Sequence, residues 1–207
     1  MSDLAPIPDI IIRRLPIYLQ ALQHLHSRSV VTTNSQELGK MLGISAAQIR
    51  KDLSQFGGFG KQGTGYNIPF LIEKLKSILK IDRTWDVILV GAGDLGHAIA
   101  RYQGFQNRGF RIIAVFDNNP AIIGSTIEEF SILPVSQARD FIQKNRVNIA
   151  LLTVPASSAQ EAAEFLVESG IKAILNYAPI SLLLPEGIQV EYLDPLLQLQ
   201  HMTYYLE

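Results

Sequence analysis

The stretch Trp85–Asp117, WDVILVGAGDLGHAIARYQGFQNRGFRIIAVFD, decides how the rest of the chain is read. Its apolar run Val87-Ile88-Leu89-Val90 predicts a short strand buried on both faces, ending directly in Gly91-Ala92-Gly93-Asp94-Leu95-Gly96, where a helix should begin. The three glycines divide the work of a phosphate-binding turn. Gly91 permits the reversal, Gly93 lets the backbone approach a pyrophosphate, and Gly96 lets helix and strand pack closely. The helix N-terminus adds free N–H groups and a positive dipole end. Leu95, Ile99 and Tyr102 are expected to form the inner face of that helix. A second strand, Arg111–Phe116, leads to Asp117, about 20 residues past the last glycine, where a dinucleotide site places the carboxylate that binds ribose hydroxyls. Asn118, Asn119 and Pro120 follow with no nearby Arg to hold a 2′-phosphate, which favours NAD(H) over NADP(H). Asp94 must point to solvent if a pyrophosphate is to sit beside it. A glycine turn of this kind can also serve packing alone; the surrounding strand, helix, strand and acid favour a ligand.

Downstream, Ser136–Lys144 reads as a helix, Val147–Val154 as a buried strand ending at Pro155, and Ser157–Ser169 as a helix with Ala162, Phe165 and Leu166 inward. Ile171–Leu175 is a further strand leading into Asn176-Tyr177. Repeated strand and helix extend a parallel sheet, and Thr153, Val154, Pro155, Asn176 and Tyr177 fall at the carboxyl ends of strands, where ligands collect. Val190–Tyr192 is expected as an edge strand. Asp194-Pro195 then opens a terminal helix with Leu196, Leu197, Leu199, Met202, Tyr205 and Leu206, so apolar that packing on a partner subunit or the other domain is expected, against ordinary packing on its own sheet.

The chain has 207 residues, enough for one large or two small domains, and no cysteine. Disulfides, thiolate catalysis, zinc fingers and iron–sulfur ligation are thereby excluded. No uninterrupted apolar segment of about 18 residues, signal-type leader or lipidation motif is visible, so a cytoplasmic protein without a membrane partner is expected. The net charge of −1 hides an asymmetry. Residues 1–80 carry ten Lys/Arg against five acids; by difference from the chain totals of 18 and 19, the remainder carries eight against fourteen. A basic N-terminal part facing a polyanion follows.

That part reads as helices. A first, capped by Asp9, has the apolar stripe Ile12, Leu15, Leu19, Leu22 and Leu25, with Pro16 as a defect the period does not explain. Asn34 or Ser35 caps a second, stopped by Gly43; Ser45 caps a third, Ala46 to about Phe56, with Gln48 completing a capping box. Helix, glycine turn, capped helix is the helix-turn-helix pattern, whose second helix enters the DNA major groove. Ile49 and Leu53 face the core, leaving Gln48, Arg50, Lys51 and Ser54 outside, with Asp52 paired to a basic neighbour. Such a basic helix can also be a solvated face, but the loop Gly57–Tyr66, with five glycines and Lys61 near its tip, looks like a wing that reaches the minor groove and phosphates. Ser45, Gly63 and Tyr66 complete the expected DNA-facing set. A phosphate loop is the competing reading and lacks a GK[ST] ending. Pro69 opens a helix through Leu71, Leu75 and Leu79, and residues 81–84 form a linker.

The fold expected is therefore α/β: a winged helix-turn-helix DNA-binding domain (1–80), a Rossmann dinucleotide-binding domain (81–190) and a terminal dimerisation helix (191–207). The order resembles the Rex family of bacterial redox-sensing transcriptional repressors. The resemblance is carried by SAAQIRKDLSQFGGFGKQGTGY (Ser45–Tyr66), VGAGDLGHAIARY (Val90–Tyr102), VFDNNPAIIG (Val115–Gly124), IALLTVP (Ile149–Pro155) and GIKAILNYAP (Gly170–Pro179). It implies a homodimer that binds palindromic operator DNA with NAD⁺ and releases it when NADH closes the subunits. Carried over by position, Arg50 and Lys51 would contact the major groove and Lys61 would be the wing contact. Gly91, Gly93 and Gly96 would hold pyrophosphate, and Asp117 the ribose. Tyr102 and Asp194 resemble the family's inter-subunit Tyr–Asp pair. Two positions depart from the pattern: the wing has Lys61-Gln62 rather than two basic residues, and Gln20 stands where a first-helix Arg competes for that Asp, with Arg14 further back.

Two other functions are weighed. A small NAD-dependent dehydrogenase lacks a substrate domain and an acid–base group: His24 and His26 lie on the first helix, His201 near the tail, and His97 reads as a solvated helix residue. A DNA-binding regulator of the same fold could instead sense another nucleotide, such as a coenzyme A derivative. No catalytic residue and no metal site are expected.

Overall fold

Trp85–Val90 forms strand β3, and its alternating side chains explain why its last four residues, Val87–Val90, are all apolar. Ile88 and Val90 pack on one side of the sheet with Ala159, Ala163 and Leu166, while Val87 and Leu89 pack on the other with Ile99, Ile112 and Leu151. Covering both faces with helices leaves no place for a polar residue, and each buried aliphatic side chain contributes about 1.5–3 kcal/mol.

The computed structural model describes residues 7–59 and 65–206. The chain divides into two compact units, Met1–Arg83 and Thr84–Glu207. In the first, α1 (Asp9–Ile12), α2 (Leu15–Ser27), α3 (Ser35–Leu42), α4 (Ala46–Ser54) and α5 (Ile68–Ile78) enclose Leu15, Tyr18, Leu22, Leu38, Ile49, Leu53, Leu71 and Leu75. The expected single first helix is in fact two. Pro16 has no N–H to offer the Ile12 carbonyl, so the chain turns at Arg13-Arg14 and restarts with Pro16 in the first turn of α2, where no such donor is needed. The cap of α1 is Pro8, and Asp9 is the first helical residue. The two-residue strand β1 (Thr32–Thr33) pairs antiparallel with β2 (Tyr66–Asn67), and Ile68 already belongs to α5, capped by the Asn67 side chain.

In the second unit β3, β4 (Phe110–Asp117), β5 (Thr126–Ile127), β6 (Phe130–Pro134), β7 (Ile149–Leu152), β8 (Ala173–Asn176) and β9 (Gln189–Tyr192) make one seven-stranded sheet. Its order is β5-β6-β4-β3-β7-β8-β9, all neighbours parallel except the β5–β6 pair. Helices α6 (Asp94–Arg101), α7 (Ala138–Asn145) and α8 (Ala156–Ser169) cross over between strands, and α9 (Pro195–Thr203) ends the described chain. The strand order reverses between β3 and β7, which makes a crevice at their carboxyl ends. Helix α9 buries none of its residues: Leu196, Leu197, Leu199 and Met202 are each more than half exposed. Packing on its own sheet is thereby ruled out.

Candidate nucleotide and DNA sites

The glycine turn is shaped by contacts that admit no side chain at two of its three positions. Gly91 has φ +102°, and a Cβ there would lie 2.7 Å from the Thr153 carbonyl carbon and oxygen. A Cβ on Gly96 would fall onto the Gly91 carbonyl oxygen. At Gly93, which caps α6, a Cβ would meet nothing within 4 Å. The protein thus needs Gly91 and Gly96 for its own packing, whereas the absence of a side chain at Gly93 leaves room for something else. The first-turn N–H groups of α6, from Asp94 to Gly96, have no partner within their own helix. Asp94 is exposed.

Asp117 stands at the end of β4. Its two carboxylate oxygens accept from Ala92 N at 2.6 Å and from Asn119 N at 2.7 Å, so it both ties down the glycine turn and keeps acceptor capacity facing the crevice. Across the crevice the Thr153 hydroxyl is directed at the Gly91 carbonyl (2.7 Å) and the Val90 carbonyl (3.1 Å), locking the two strand ends together. Beside Asp117 and Asn118 opens a cleft of about 240 Å³, lined also by Val135, Ser136, Val154, Glu161, Ala162 and Phe165. It is apolar between its walls and acidic at its rim, a shape suited to a flat heteroaromatic ring.

Three expectations change here. Leu95 faces solvent (46 % exposed) and Tyr102 does too (56 %); the inner face of α6 is Gly96 and Ile99, because an eight-residue helix lying this close to the sheet has room for little more. Asn176 is wholly buried. Both its amide protons go to the carbonyls of Ala178 and Ile180 and its oxygen accepts from Ala178 N, so it builds the turn after β8 and has no amide proton left for a ligand. Tyr177, beside it, is half-buried, and burial raises its phenol pKa. Pro155 caps α8.

In the first unit, Asn34 caps α3 through Gln36 N and Glu37 N, and Gly43 ends it at φ +67°. Ser45 caps α4 by accepting from Gln48 N at 3.2 Å. The capping box does not close: the Gln48 amide instead donates to Asp52 Oδ1 at 2.6 Å, which turns Gln48 away from the outer face. Asp52 is fully buried. It also accepts from Arg14 Nε and Nη2 (2.6 and 2.8 Å) and from the Tyr18 hydroxyl (2.6 Å). Burial opposes its ionisation, but the bonds from Arg14, Tyr18 and Gln48 outweigh that and hold its pKa below the usual carboxylate value. Desolvation and the same carboxylate push the Tyr18 phenol strongly upward. The basic partner expected for Asp52 is therefore Arg14, 38 residues away in sequence.

Arg50 and Lys51 remain exposed on α4; Ser54 donates to the Lys51 carbonyl and finishes the helix. The Arg50 Nη1 donates to Ser35 Oγ at 2.8 Å. Tyr66, in β2, is half-buried, and its phenol is raised by burial with Arg50 near enough to oppose that shift. Lys61 and Gly63 lie outside the described residues. Tyr102 ends α6 and Asp194 caps α9 through Leu196 N; no bond joins them within one chain.

A family profile for a CoA binding domain matches residues 82–180, and one for a DNA-binding protein N-terminus matches residues 6–54. The redox-sensing transcriptional repressor Rex of Chloroflexus aurantiacus is 49 % identical over 205 residues, covering 99 % of this chain and 96 % of its own. That of Roseiflexus sp. is 48 % identical over 199 residues, 96 % and 90 % of the two chains. A crystal structure of RSP in complex with β-NAD⁺ and operator DNA superposes with TM-score 0.92 at 40 % identity, covering 98 % of this chain and 94 % of that one. RSP in complex with β-NADH gives 0.88 at 37 %, covering 100 % and 95 %. A glycine cradle at the switch point of a parallel sheet, a capped basic helix-turn-helix ahead of it and relatives alike from end to end agree: the chain belongs to the Rex family of redox-sensing transcriptional repressors.

Proposed function

We propose that this protein is a cytoplasmic, homodimeric repressor that holds palindromic operator DNA and releases it when NADH occupies the Rossmann unit. The observation that carries the reading is Gly93, a helix cap whose missing side chain serves no packing need, in a chain that also carries an exposed basic helix on a helix-turn-helix. The relatives and the RSP complexes with NAD⁺, NADH and operator DNA support it. In this reading Gly93, Asp94, Leu95 and Gly96 hold the pyrophosphate on backbone N–H groups. Gly91 and Ala92, whose N–H groups go to the Phe116 carbonyl and Asp117, shape the turn beneath it, and Asp117 with Asn118 binds the adenosine ribose. The adenine lies in the cleft of Val135, Val154 and Phe165. Thr153, Val154 and Pro155 form the far wall, with Tyr177 near the nicotinamide end. Arg50 and Lys51 read and hold the major groove, Lys61 and Gly63 reach from the wing, and Tyr66 and the Ser45 and Ser54 hydroxyls border the phosphates. Helix α9 packs on the second subunit, which supplies the cover its exposed leucines lack, and Tyr102 meets the Asp194 of the other chain.

The switch needs little energy. A tenfold preference of NADH for the DNA-free state is about 1.4 kcal/mol per site, and two sites in a dimer double it to about a hundredfold in operator affinity. The test is fluorescence anisotropy of a labelled palindromic operator at fixed salt, titrated with NADH and then NAD⁺. Release by NADH and retention with NAD⁺ is expected; binding indifferent to both would overturn the redox reading. The match to a CoA binding domain favours a second reading, since coenzyme A shares the adenosine diphosphate portion. Release by a coenzyme A thioester in the same assay, with NADH inert, would establish it.

A further inference from the structure

Arg50 is an exposed residue whose guanidinium is nonetheless fixed. Its Nη1 donates to Ser35 Oγ at 2.8 Å, and the phenol of Tyr66 lies close enough for the charge to act on it. Ser35 is 8 % exposed and is the first residue of α3, whose start is capped by Asn34, so its hydroxyl is an acceptor carried on an ordered helix start. An arginine on a helix surface otherwise samples many rotamers, and ordering it on DNA costs affinity. With one Nη1 proton committed to Ser35, the guanidinium's range of orientations is narrowed, and its other N–H donors remain for a base edge, where bidentate geometry decides specificity.

We propose that Ser35 is a positioning residue for operator reading: it holds the Arg50 guanidinium in the plane in which it meets a base, so the reading unit spans two helices rather than α4 alone. This rests on Arg50 reading a base, and the variants separate the two claims. Ser35→Ala removes the acceptor at a helix position that tolerates alanine; Ser35→Thr keeps the hydroxyl; Arg50→Ala removes the reader. Operator and random-sequence DNA are titrated with each full-length protein over a range of salt. Ser35→Ala should weaken operator binding about three- to tenfold while random-sequence affinity and the salt slope stay as in the parent, because no phosphate contact is lost. Ser35→Thr should recover most of the loss, and Arg50→Ala should lose more. Operator affinity of Ser35→Ala within twofold of the parent, with Arg50→Ala impaired, overturns the positioning role alone. A proportional fall on both DNAs also overturns it, as a general effect on the domain. An unimpaired Arg50→Ala removes Arg50 as a reader and the Ser35 proposal with it.

Discussion

Asp52 and Asp117 are two carboxylates in very different surroundings. Asp52 is sealed from solvent and takes four hydrogen bonds from three side chains, one of them a forked arginine. Asp117 is half-buried and takes only two, both from backbone N–H groups in the loops beside it. A carboxylate offers about four lone-pair sites. The first has filled them and is finished as a structural part; the second retains capacity on the side where the crevice opens. Unspent hydrogen-bonding capacity distinguishes a ligand's anchor from a fold's anchor.

Four experiments press on that contrast. The largest effect belongs to Asp52→Ala, which leaves the Arg14 guanidinium and Tyr18 hydroxyl without their acceptor. It should cost the N-terminal unit about 3–5 kcal/mol, read by denaturant unfolding, with NADH affinity unmoved. Asp117→Ala should do the reverse. On the proposed reading it loses charge-assisted bonds to ribose, so NADH binding should fall by about 1.5–3 kcal/mol in calorimetry, at a smaller cost in stability. If Asp117→Ala proves as destabilising as Asp52→Ala, the distinction between the two carboxylates collapses. Gly93→Ala sharpens the point further: its Cβ enters space the protein does not use, so the melting temperature should hold while NADH binding weakens about tenfold, or about 1.4 kcal/mol. Equal NADH affinity would show that no phosphate sits there. The smallest effect is on pH. Because the folded pKa of Asp52 lies below its unfolded value, its contribution is complete above about pH 4 and is lost as pH falls through the folded value. The stability gap between the parent and Asp52→Asn should therefore narrow in acid, and a gap constant from pH 7 to pH 2 would contradict this.

The glycine turn and the strand it ends were legible because backbone geometry demanded those residue types locally. The winged-helix and Rossmann architecture followed from the same kind of local signal. What escaped was set by distant partners. Asp52 shares the inward stripe of α4 with Ile49 and Leu53, which was a readable sign of burial, but the hydroxyl that bonds it and the guanidinium that neutralises it lie 34 and 38 positions earlier. The hairpin of β5 and β6 went unread because its turn is Glu128-Glu129, with Glu128 at φ +49°, where a glycine or asparagine would have signalled it. Losing that hairpin hid Val135, which follows β6 and lines the cleft; Ser136 and the α8 residues Ala162 and Phe165 were legible as helix, but not as cleft lining. Leu95 misled for a different reason. An apolar residue at helical spacing suggests a core, whereas here Gly96 brings the helix so near the sheet that its neighbour is turned out.

The contact of Gly96 on the Gly91 carbonyl also makes the turn and α6 a single rigid piece. Helix α6 spans eight residues, about 12 Å along its axis, and ends at Tyr102. It is therefore a lever with its short end at the glycine turn and an exposed phenol at the tip. A tilt of that whole piece by a few degrees about its glycine end swings the phenol by the better part of an ångström, without bending a hydrogen bond in between.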